Sequence, residues 1–534
     1  MVVRATNKQL ALISAITASS IVAVDSTAVN VALPSISRDL GGGLAAQQWV
    51  ANAYLLTLSA LILLAGSLTD RLGERRVFVT GVAGFGVGSA LCAAAPTVEI
   101  LIVARAVQGV AGALLTPAAL AIIVAVFPKD ERGAAIGSWT AWGGIGILIG
   151  PLLGGQIVDV ASWRWIFALN LPLVGIALFL AARAVPGRHE TDTPRVPIDV
   201  AGATLAALGL AGISFGLIEQ PVLGWSSPAI FGSLIAGAGL FVGFLVLESR
   251  SNHAMLPLSL FARRNFAVAN AQTLAMYGGI SIFGFFLTIY LQQVAGYSAF
   301  KSGVTGLVPT GVMFLLSRRM GRLADRYGPR AFLTAGPLLV AGGFLLMLRF
   351  DTTVSLLGEV VPALLVLSIG LSLTVAPLTA TVLADADESD AGIASAVNNA
   401  IARTAGLITV AAVGAVVAAQ YGSALDERLA GRLSPASAPA LEAAKRRTFS
   451  GLDPSRLPPA ERALAREASA AASEEAFHLA AGIGAGLLVL AGAAGLALRN
   501  PRRPEVAASD CAGGQFAGSP RALHRVQLPA KTPA

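Results

Sequence analysis

The segment GSLTDRLGERR, from Gly66 to Arg76, recurs in the second part of the chain as GRLADRYGPR, from Gly321 to Arg330. The two copies share the pattern G-x-L-x-D-R-x-G-x-R and begin 255 residues apart. Agreement at six fixed positions within so short a segment indicates an internal repeat. Each copy lies between two long apolar runs. The repeat therefore predicts two similar blocks of membrane-spanning helices.

The composition of the chain excludes a soluble fold. Apolar residues make up 55% of the 534 residues and charged residues only 13%, about half of the ~25% that is usual in soluble domains. The 58 glycines suit helices that pack closely in lipid. We therefore predict an all-α integral membrane protein.

Several kinds of site are excluded by residue counts and by missing motifs. Two cysteines and four scattered histidines do not predict a disulfide scaffold or a metal cluster. The net charge of +8 comes from basic residues that separate apolar runs, so no nucleic-acid partner is predicted. The sequence contains no G-x-x-x-x-G-K-[ST] loop, which argues against a nucleotide.

Fourteen stretches approach the length of about 20 apolar residues that crosses a bilayer. The first could pass for a signal peptide, but it runs too long and carries Asp25, so we predict that it is not cleaved. The predicted spans cover approximately residues 10–33, 47–68, 77–95, 99–122, 134–155, 165–184, 199–218, 229–247, 266–290, 303–317, 331–348, 357–380, 394–419 and 477–498.

The distribution of lysine and arginine predicts the orientation. With the amino terminus inside, five inner loops hold sixteen basic residues and the short outer loops hold four. The positive-inside rule then places both termini in the cytoplasm. The Ala-, Gly- and Arg-rich composition suggests a GC-rich bacterial genome, and hence the inner membrane.

The repeat and the spans together predict the domains. Residues 1–185 form one six-helix half and residues 251–499 a second, pseudo-symmetric one, with a long extracytoplasmic loop at 420–476. Residues 186–250 supply two further helices as a linker, and residues 500–534 form a disordered cytoplasmic tail. Two homologous halves of this kind are typical of alternating-access transporters.

Several motifs are similar to those of the major facilitator superfamily, in its fourteen-span drug:proton antiporter branch. The turn Gly66–Arg76 resembles the superfamily's gating signature, with Glu74 where a basic residue is usual. Residues 24–34, VDSTAVNVALP, resemble the branch's L-D-x-T-x-V-N-x-A-L-P, with Val24 in place of leucine, and residues 163–172, WRWIFALNLP, are also similar. Residues 105–109, RAVQG, resemble the family's proton-coupling stretch. Residues 137–155 match the antiporter pattern G-x8-G-x3-G-P-x2-G-G.

This resemblance implies roles for polar residues inside the spans. An ionised carboxylate costs about 2.5–3.5 kcal/mol at the centre of a bilayer, so Asp25 needs a partner. Asp25 and Arg105 fall at comparable depth, and we expect them to face one cavity, where Asp25 exchanges a proton or meets a cationic substrate. A purely structural pair is the alternative. The motifs add Asn30 and Gln108 to this predicted site.

The repeated turn is predicted to act as a charge latch beneath the membrane. Gly66 and Gly73 would permit close backbone approach, and the Asp70 carboxylate would bind a facing helix end or an arginine. Orientation of the chain by its basic residues is the alternative explanation. The predicted latch residues are Gly66, Asp70, Arg71, Gly73 and Arg75, with Asp325 and Arg326 as counterparts in the second copy.

The fifth span carries a ridge without side chains, because Gly146, Gly150 and Gly154 recur at every fourth position. With Pro151 and Gly155, this ridge is predicted to provide an antiporter-type contact between domains. Possible cavity liners are aromatic or amide residues, although most aromatics in membrane helices are belt or core residues. They are Trp49, Asn52, Tyr54, Trp142, Tyr277 and Tyr290.

The leading functional hypothesis is a proton-driven exporter of hydrophobic or amphipathic drugs that needs the proton motive force and no cofactor. Its predicted partners are a small-molecule substrate, protons and the lipid bilayer. A dedicated exporter of one metabolite or antibiotic is the alternative. A proton symporter and a non-transporting receptor fit the motifs less well. No cluster of catalytic groups predicts an enzyme.

Overall fold

The structure is a computed structural model that describes residues 2–185, 199–251, 254–384 and 391–500. All regular secondary structure in these ranges is helical. The described helices lie in one compact unit, Met1–Leu498, while Arg499–Ala534 form a second unit. The disorder predicted for the tail concerns residues 501–534, which are outside the described ranges.

The α-helices are α1 (Val2–Leu40), α2 (Gly43–Leu72), α3 (Glu74–Ala94), α4 (Val98–Val126), α5 (Lys129–Val160), α6 (Arg164–Ala168), α7 (Asn170–Ala184), α8 (Val200–Leu223), α9 (Pro228–Arg250), α10 (Arg264–Ile282), α11 (Thr288–Gln293), α12 (Ala299–Val304), α13 (Leu307–Tyr327), α14 (Pro329–Met347), α15 (Val361–Ala384), α16 (Ala391–Leu429), α17 (Ala438–Lys445) and α18 (Arg462–Leu496). A π-helical segment, Phe283–Leu287, joins α10 to α11, and another, Leu356–Val360, precedes α15.

Thirteen helical segments of the described part are long and apolar enough to cross a membrane. Each coincides with one of the predicted spans, and α6 and α7 together form the sixth, Arg164–Ala184. The remaining predicted span, 47–68, lies in α2, a helix of 30 residues that is not among the thirteen. A multi-pass membrane protein is therefore confirmed, and the count of fourteen stays a prediction.

The helices pack mainly within two sets. In the first set α1 packs against α5 and α7, and α4 packs against α2 and α3. In the second set α10 packs against α16 and α18, and α14 packs against α15 and α18. Helices α8 and α9 pair with each other, and α8 also contacts α2 and α16. The largest hydrophobic cluster contains residues of both sets.

The two ends of the segment 420–476 continue the neighbouring helices. Helix α16 extends to Leu429, α18 begins at Arg462, and the short α17 lies between them. Lys445 at the end of α17 pairs with Asp426 at 2.5 Å and with Glu442 at 2.8 Å. Burial alone would lower the pKa of Lys445, but the two carboxylates together raise it by a larger amount. The pKa of Lys445 therefore lies above its ordinary value.

Both copies of the repeated sequence form the same turn. Gly73 ends α2 with φ 88° and ψ 142°, and its N–H donates to Thr69 O. Gly328 ends α13 with φ 91° and ψ 148°, and its N–H donates to Ala324 O. Because these φ values lie in the region that favours glycine, the second glycine of the repeat is required by the backbone.

Candidate functional site

The centre of the first helix set holds an ion pair that is closed off from solvent. Asp25 on α1 is 0% exposed and Arg105 on α4 is 1% exposed. Arg105 Nη1 donates to Asp25 Oδ2 at 2.6 Å. The structure thus brings together the two charged residues that the sequence placed at comparable depth. They lie in the packed interior and not on the wall of an open cavity.

Two neutral amide side chains complete the coordination of the Asp25 carboxylate, and a serine accepts from both of them. Gln108 Nε2 and Asn170 Nδ2 each donate to Asp25 Oδ1 at 3.0 Å. The same two amides donate to Ser89 Oγ at 2.9 and 3.2 Å. Asp25 therefore accepts three hydrogen bonds, which is the pattern of an ionised, acceptor-only carboxylate. We refer to Asp25, Arg105, Gln108, Asn170 and Ser89 as the Asp25 network.

The guanidinium of Arg105 is held by further contacts. Its Nε donates to Val50 O at 3.2 Å, and its Nη1 also reaches Gln108 Oε1 at 2.5 Å. Its Cζ lies 4.3 Å above the Tyr54 ring and 5.7 Å from the Phe167 ring, distances at which a cation is attracted to an aromatic face. A buried ion pair persists only when its donors and acceptors are satisfied in this way.

This arrangement makes the network sensitive to a proton. A proton on Asp25 would turn one acceptor oxygen into a donor and remove the charge that Arg105 faces. The hydrogen bonds that the protonated oxygen accepts would then weaken, and its hydrogen would need an acceptor of its own. Because the network joins α1, α3, α4 and α7, protonation would change the contacts among these four helices.

The other predicted residues of this region do not all join the network. Asn30 lies on α1 and is half-buried. Tyr54 and Asn52, on α2, are both 1% exposed. The Tyr54 hydroxyl and Asn52 Nδ2 have no hydrogen-bond partner within the described part. Tyr54 thus contributes its ring to Arg105 and is not a cavity liner in this conformation.

The remaining candidate liners are dispersed. Trp49 donates to Glu219 of α8 at 2.7 Å, Tyr290 stacks on Phe477 with 4.1 Å between ring centroids, and Trp142 is 52% exposed. Tyr277 is half-buried. A cavity of about 290 Å³ lies elsewhere, beside the segment 449–454 and α18. These residues do not converge on one site.

The latch residues form the same turn in each copy of the repeat. Arg71, Asp325 and Arg326 are exposed, and Arg75 donates to Ala182 O at 3.4 Å. The side chain of Asp70 is outside the description. Among the described residues, nothing lies within 4 Å of a Cβ placed on Gly66, and the close approach expected there stays a prediction.

The glycine ridge packs within the first set instead of between the two sets. Cβ atoms placed on Gly146, Gly150 and Gly154 would meet Ala23, Thr27 and Ala28 of α1. The expected contact with the second set comes from two neighbouring residues. A Cβ on Gly155 would lie 2.6 Å from Phe300 Cα, and one on Gly303 would overlap Pro151 O.

Further contacts join the two sets at the same end of the helices. Asp159, near the end of α5, accepts hydrogen bonds from Ala299 N at 3.0 Å and Phe300 N at 2.9 Å, in the first turn of α12. Gln292 Nε2 donates to Val31 O at 2.9 Å. The first half of α5 differs, because no atom of the described residues lies within 4 Å of a Cβ on Gly133, Gly137, Gly143 or Gly144.

Sequence reasoning missed the roles of Ser89, Asn170 and Asp159. Ser89 and Asn170 are polar residues within apolar spans, which is the signal that could have identified them. A second polar cluster lies in the other helix set, where Asn398 donates to Asn270 Oδ1 and Thr273 Oγ1 at 3.0 and 2.8 Å. Among the described residues, no group of three or more His, Cys, Asp or Glu could hold a metal.

Known proteins resemble this chain over most of its length. The family model described as Major Facilitator Superfamily matches residues 15–410. The chain is 33% identical over 427 residues to the tetracenomycin C resistance and export protein of Streptomyces glaucescens, covering 79% of each protein. It is 31% identical over 416 residues to the multidrug transporter protein MdtP of Bacillus subtilis, covering 76% of this chain and 75% of that protein.

Solved structures show the same fold. The crystal structure of a bacterial homolog to the human lysosomal transporter Spinster, inward-facing and unoccupied, superposes with a TM-score of 0.65 at 15% identity. The match covers 92% of this chain and 98% of that one. At such low identity the likeness is evidence for the fold alone.

Proposed function

Since the chain belongs to the Major Facilitator Superfamily, we propose that it is a proton-coupled antiporter that exports hydrophobic or amphipathic compounds by alternating access. Its relatives include antibiotic and multidrug efflux transporters, and the chain is a multi-pass membrane protein. In the proposed cycle the proton motive force supplies the energy, and neither a cofactor nor a nucleotide takes part.

The observation that carries this proposal is the Asp25 network. A carboxylate in the interior of a membrane protein is costly and marks a functional site by default. In the observed conformation Asp25 is arranged to be ionised, with three donors on its two oxygens. Uptake of a proton would weaken the bonds accepted by the protonated oxygen and loosen the packing of α1 against α4 or α7. Proton binding and helix movement are thereby coupled through the same atoms.

The observed conformation fits the proton-released, inward-facing state of such a cycle. Contacts between the helix sets occur at the end of α5, where Asp159 binds the first turn of α12. The first half of α5 has open space at four glycines. By the distribution of basic residues, the packed end faces outward and the open end faces the cytoplasm.

The architecture proposed for this function has fourteen spans. Helices α1–α7 form one six-span half, α10–α18 form the other, and α8 and α9 are inserted between them. The separate packing of the two sets and the identical turns at Gly73 and Gly328 support this division. Both termini lie in the cytoplasm, and the protein resides in a bacterial inner membrane.

The alternative function is export of a single antibiotic or metabolite. It is favoured by the similarity to a protein named for resistance to, and export of, one compound, tetracenomycin C. The same network would serve either function, because proton coupling does not depend on the breadth of the substrate range.

A vesicle assay tests the proposal. Everted vesicles that contain the protein are given an inward proton gradient reported by a dye, and a panel of lipophilic cations and neutral antibiotics is added. We expect some compounds to dissipate the gradient with the wild type and not with Asp25→Asn. The matched control is Asp39→Asn, because Asp39 lies on the same helix but is half exposed and pairs with Arg164.

The outcomes separate the hypotheses. Full compound-dependent dissipation by folded Asp25→Asn would refute the role of Asp25. Loss of dissipation in both variants would point to damage of α1 instead of proton coupling. If no compound in the panel acts on the wild type, the dedicated exporter becomes the leading function, and the panel must then be extended to single antibiotics.

A further inference from the structure

Helices α8 and α9 form a tightly packed hairpin that the transport mechanism above does not use. Their backbones touch at glycines: a Cβ on Gly237 would lie 2.6 Å from Ile213 N, and one on Gly209 would lie 2.9 Å from Phe241 N. Such close contact fixes the two helices relative to each other. Side chains that face each other across this hairpin therefore cannot move apart easily.

Two carboxyl groups meet at the end of the hairpin where α8 begins and α9 ends. Asp199 is the N-cap of α8, and its Oδ1 accepts from Gly202 N at 2.7 Å. Glu248 lies in the last turn of α9, and its Oε2 accepts from Leu256 N at 2.9 Å. Glu248 is only 2% exposed, so it has left water almost completely.

The other oxygens of the two carboxyl groups, Asp199 Oδ2 and Glu248 Oε1, both lie beside Gly202. A Cβ placed on Gly202 would lie 2.5 Å from Asp199 Oδ2 and 2.8 Å from Glu248 Oε1. Both oxygens are buried and neither has a hydrogen-bond partner among the described residues. Two ionised carboxylates have no hydrogen to place between such oxygens, and like charges this close in a low dielectric repel strongly.

Among the described residues, which leave out 186–198 and 252–253, no cation pairs with either free oxygen. On α9 the nearest cation is Arg250, which is exposed. The segment Ala254–Pro257, which supplies Leu256 N, carries no charge. On α8 the other acid is Glu219, which lies towards the opposite end and accepts from Trp49. Asp199 is the charged group whose field acts on Glu248.

The donor set does not suit a metal ion. Hard cations such as Mg²⁺ and Ca²⁺ take six or more oxygen ligands, whereas two of the four carboxyl oxygens here already accept from backbone N–H groups. A single proton needs only the two oxygens that face each other. Paired carboxyl groups that share one proton are a known solution to this geometry.

We propose that Asp199 and Glu248 form a second proton-binding site, in which one proton taken from water is shared between Asp199 Oδ2 and Glu248 Oε1 and fastens the α8–α9 hairpin at this end. Loss of the proton leaves two facing carboxylates that repel each other and weaken the contact between α8 and α9 at this end. Since α8 contacts both α2 and α16, the proton at this site acts on helices of both sets. The site is separate from Asp25, and its existence does not depend on the proposed transport cycle.

Infrared spectroscopy of the purified full-length protein tests the site. The wild type is expected to show the C=O stretch of one protonated carboxyl that shifts in D₂O and disappears as the pH is raised. Glu248→Gln and Asp199→Asn should each lose this whole signal, because an amide donates its own hydrogen to the remaining carboxylate. Glu219→Gln is the matched control, since it removes an acid of the same hairpin and should keep the signal.

Thermal unfolding supplies a second readout. From about pH 6 to about pH 9, the midpoint of the wild type should fall by more than that of Glu248→Gln or Asp199→Asn, whose hydrogen bond cannot ionise. If one amide variant fails to fold, the other decides. A carboxyl signal that persists in the amide variants, or midpoints that fall in parallel, would overturn the proposal. So would stabilisation by Na⁺, K⁺ or Mg²⁺ that requires both acids, because it would identify a cation site.

Discussion

Replacing Gly150 by alanine should disrupt the contact between α5 and α1. The added Cβ would overlap Thr27 Oγ1 and would lie 3.0 Å from Val24 O. Relief requires the α5 backbone to move, because Val24 O belongs to the rigid backbone of α1. Insertion of one methyl group into a packed interior typically costs about 1–3 kcal/mol, and we expect Gly150→Ala to destabilise the protein by an amount in this range.

A second substitution tests whether the overlap is the cause. Thr27→Ala removes Oγ1, the atom that the new methyl group overlaps. The nearest atom of residue 27 is then its Cβ at 3.2 Å, which is closer to an ordinary van der Waals distance. Thr27 Oγ1 donates only to Ala23 O and Val24 O of its own helix, so Thr27→Ala alone should cost little. In the double variant we expect a favourable coupling of about 1 kcal/mol.

The measurement is thermal unfolding of the purified variants, followed by efflux of a substrate identified in the vesicle assay. Gly144→Ala is the control on the same helix, because nothing lies within 4 Å of its Cβ position. Since alanine is favoured over glycine in helices by roughly 0.5–1 kcal/mol, this control should be neutral or slightly stabilised. Equal midpoints for Gly150→Ala and Gly144→Ala, or no coupling with Thr27→Ala, would refute the steric argument.

Three further predictions concern the turns, the contact between helix sets and the Asp25 network. Gly73→Ala and Gly328→Ala should each lower stability by about 1–2 kcal/mol, since φ values of 88° and 91° are strained for alanine; unchanged unfolding midpoints would contradict this. In Asp159→Ala two N–H groups of α12 lose their acceptor, so cysteines introduced beneath α12 should be labelled faster by a thiol reagent. Asp351→Ala should not have this effect, because Asp351 binds only Thr353. Asn170→Ala should shift the pH dependence of proton-coupled efflux by removing one donor to Asp25, and a profile that keeps its midpoint while activity falls would indicate a structural role only.

The spans and the ion pair could be predicted because each depends on a local rule. Apolar length predicts a membrane helix, and the cost of a lone charge in lipid predicts that Asp25 and Arg105 pair. The sequence did not predict that the ion pair of Asp25 and Arg105 would be inaccessible to solvent. Burial depends on how Tyr54 and Phe167 cover Arg105, and these contacts join residues that are far apart in the chain.

The direction of the glycine ridge was beyond sequence reasoning for a similar reason. A repeat of glycine at every fourth position indicates that a helix is closely approached, but it does not indicate by which partner. Gly150 faces α1, while the adjacent Pro151 faces Gly303 across the two helix sets. Neighbouring residues on a helix point about 100° apart, so a single motif can serve both contacts. The pairing of Asp199 with Glu248 was also missed, because it depends on how α8 and α9 align.

The two helix sets share a repeat but differ in their buried charge. In α1–α7 the interior holds the ion pair of Asp25 and Arg105. In α10–α18 the fully buried polar side chains that the structure describes are neutral, among them Asn270, Gln272 and Thr273. Arg403 on α16 is a half-buried cation, but an arginine keeps its charge throughout the physiological pH range. A neutral amide cannot gain or lose a proton near neutral pH, so it cannot exchange charge with the proton gradient. In the proposed cycle, proton coupling at the membrane centre therefore belongs to the first set, and the second set responds through the contacts it makes with α5, α8 and α2.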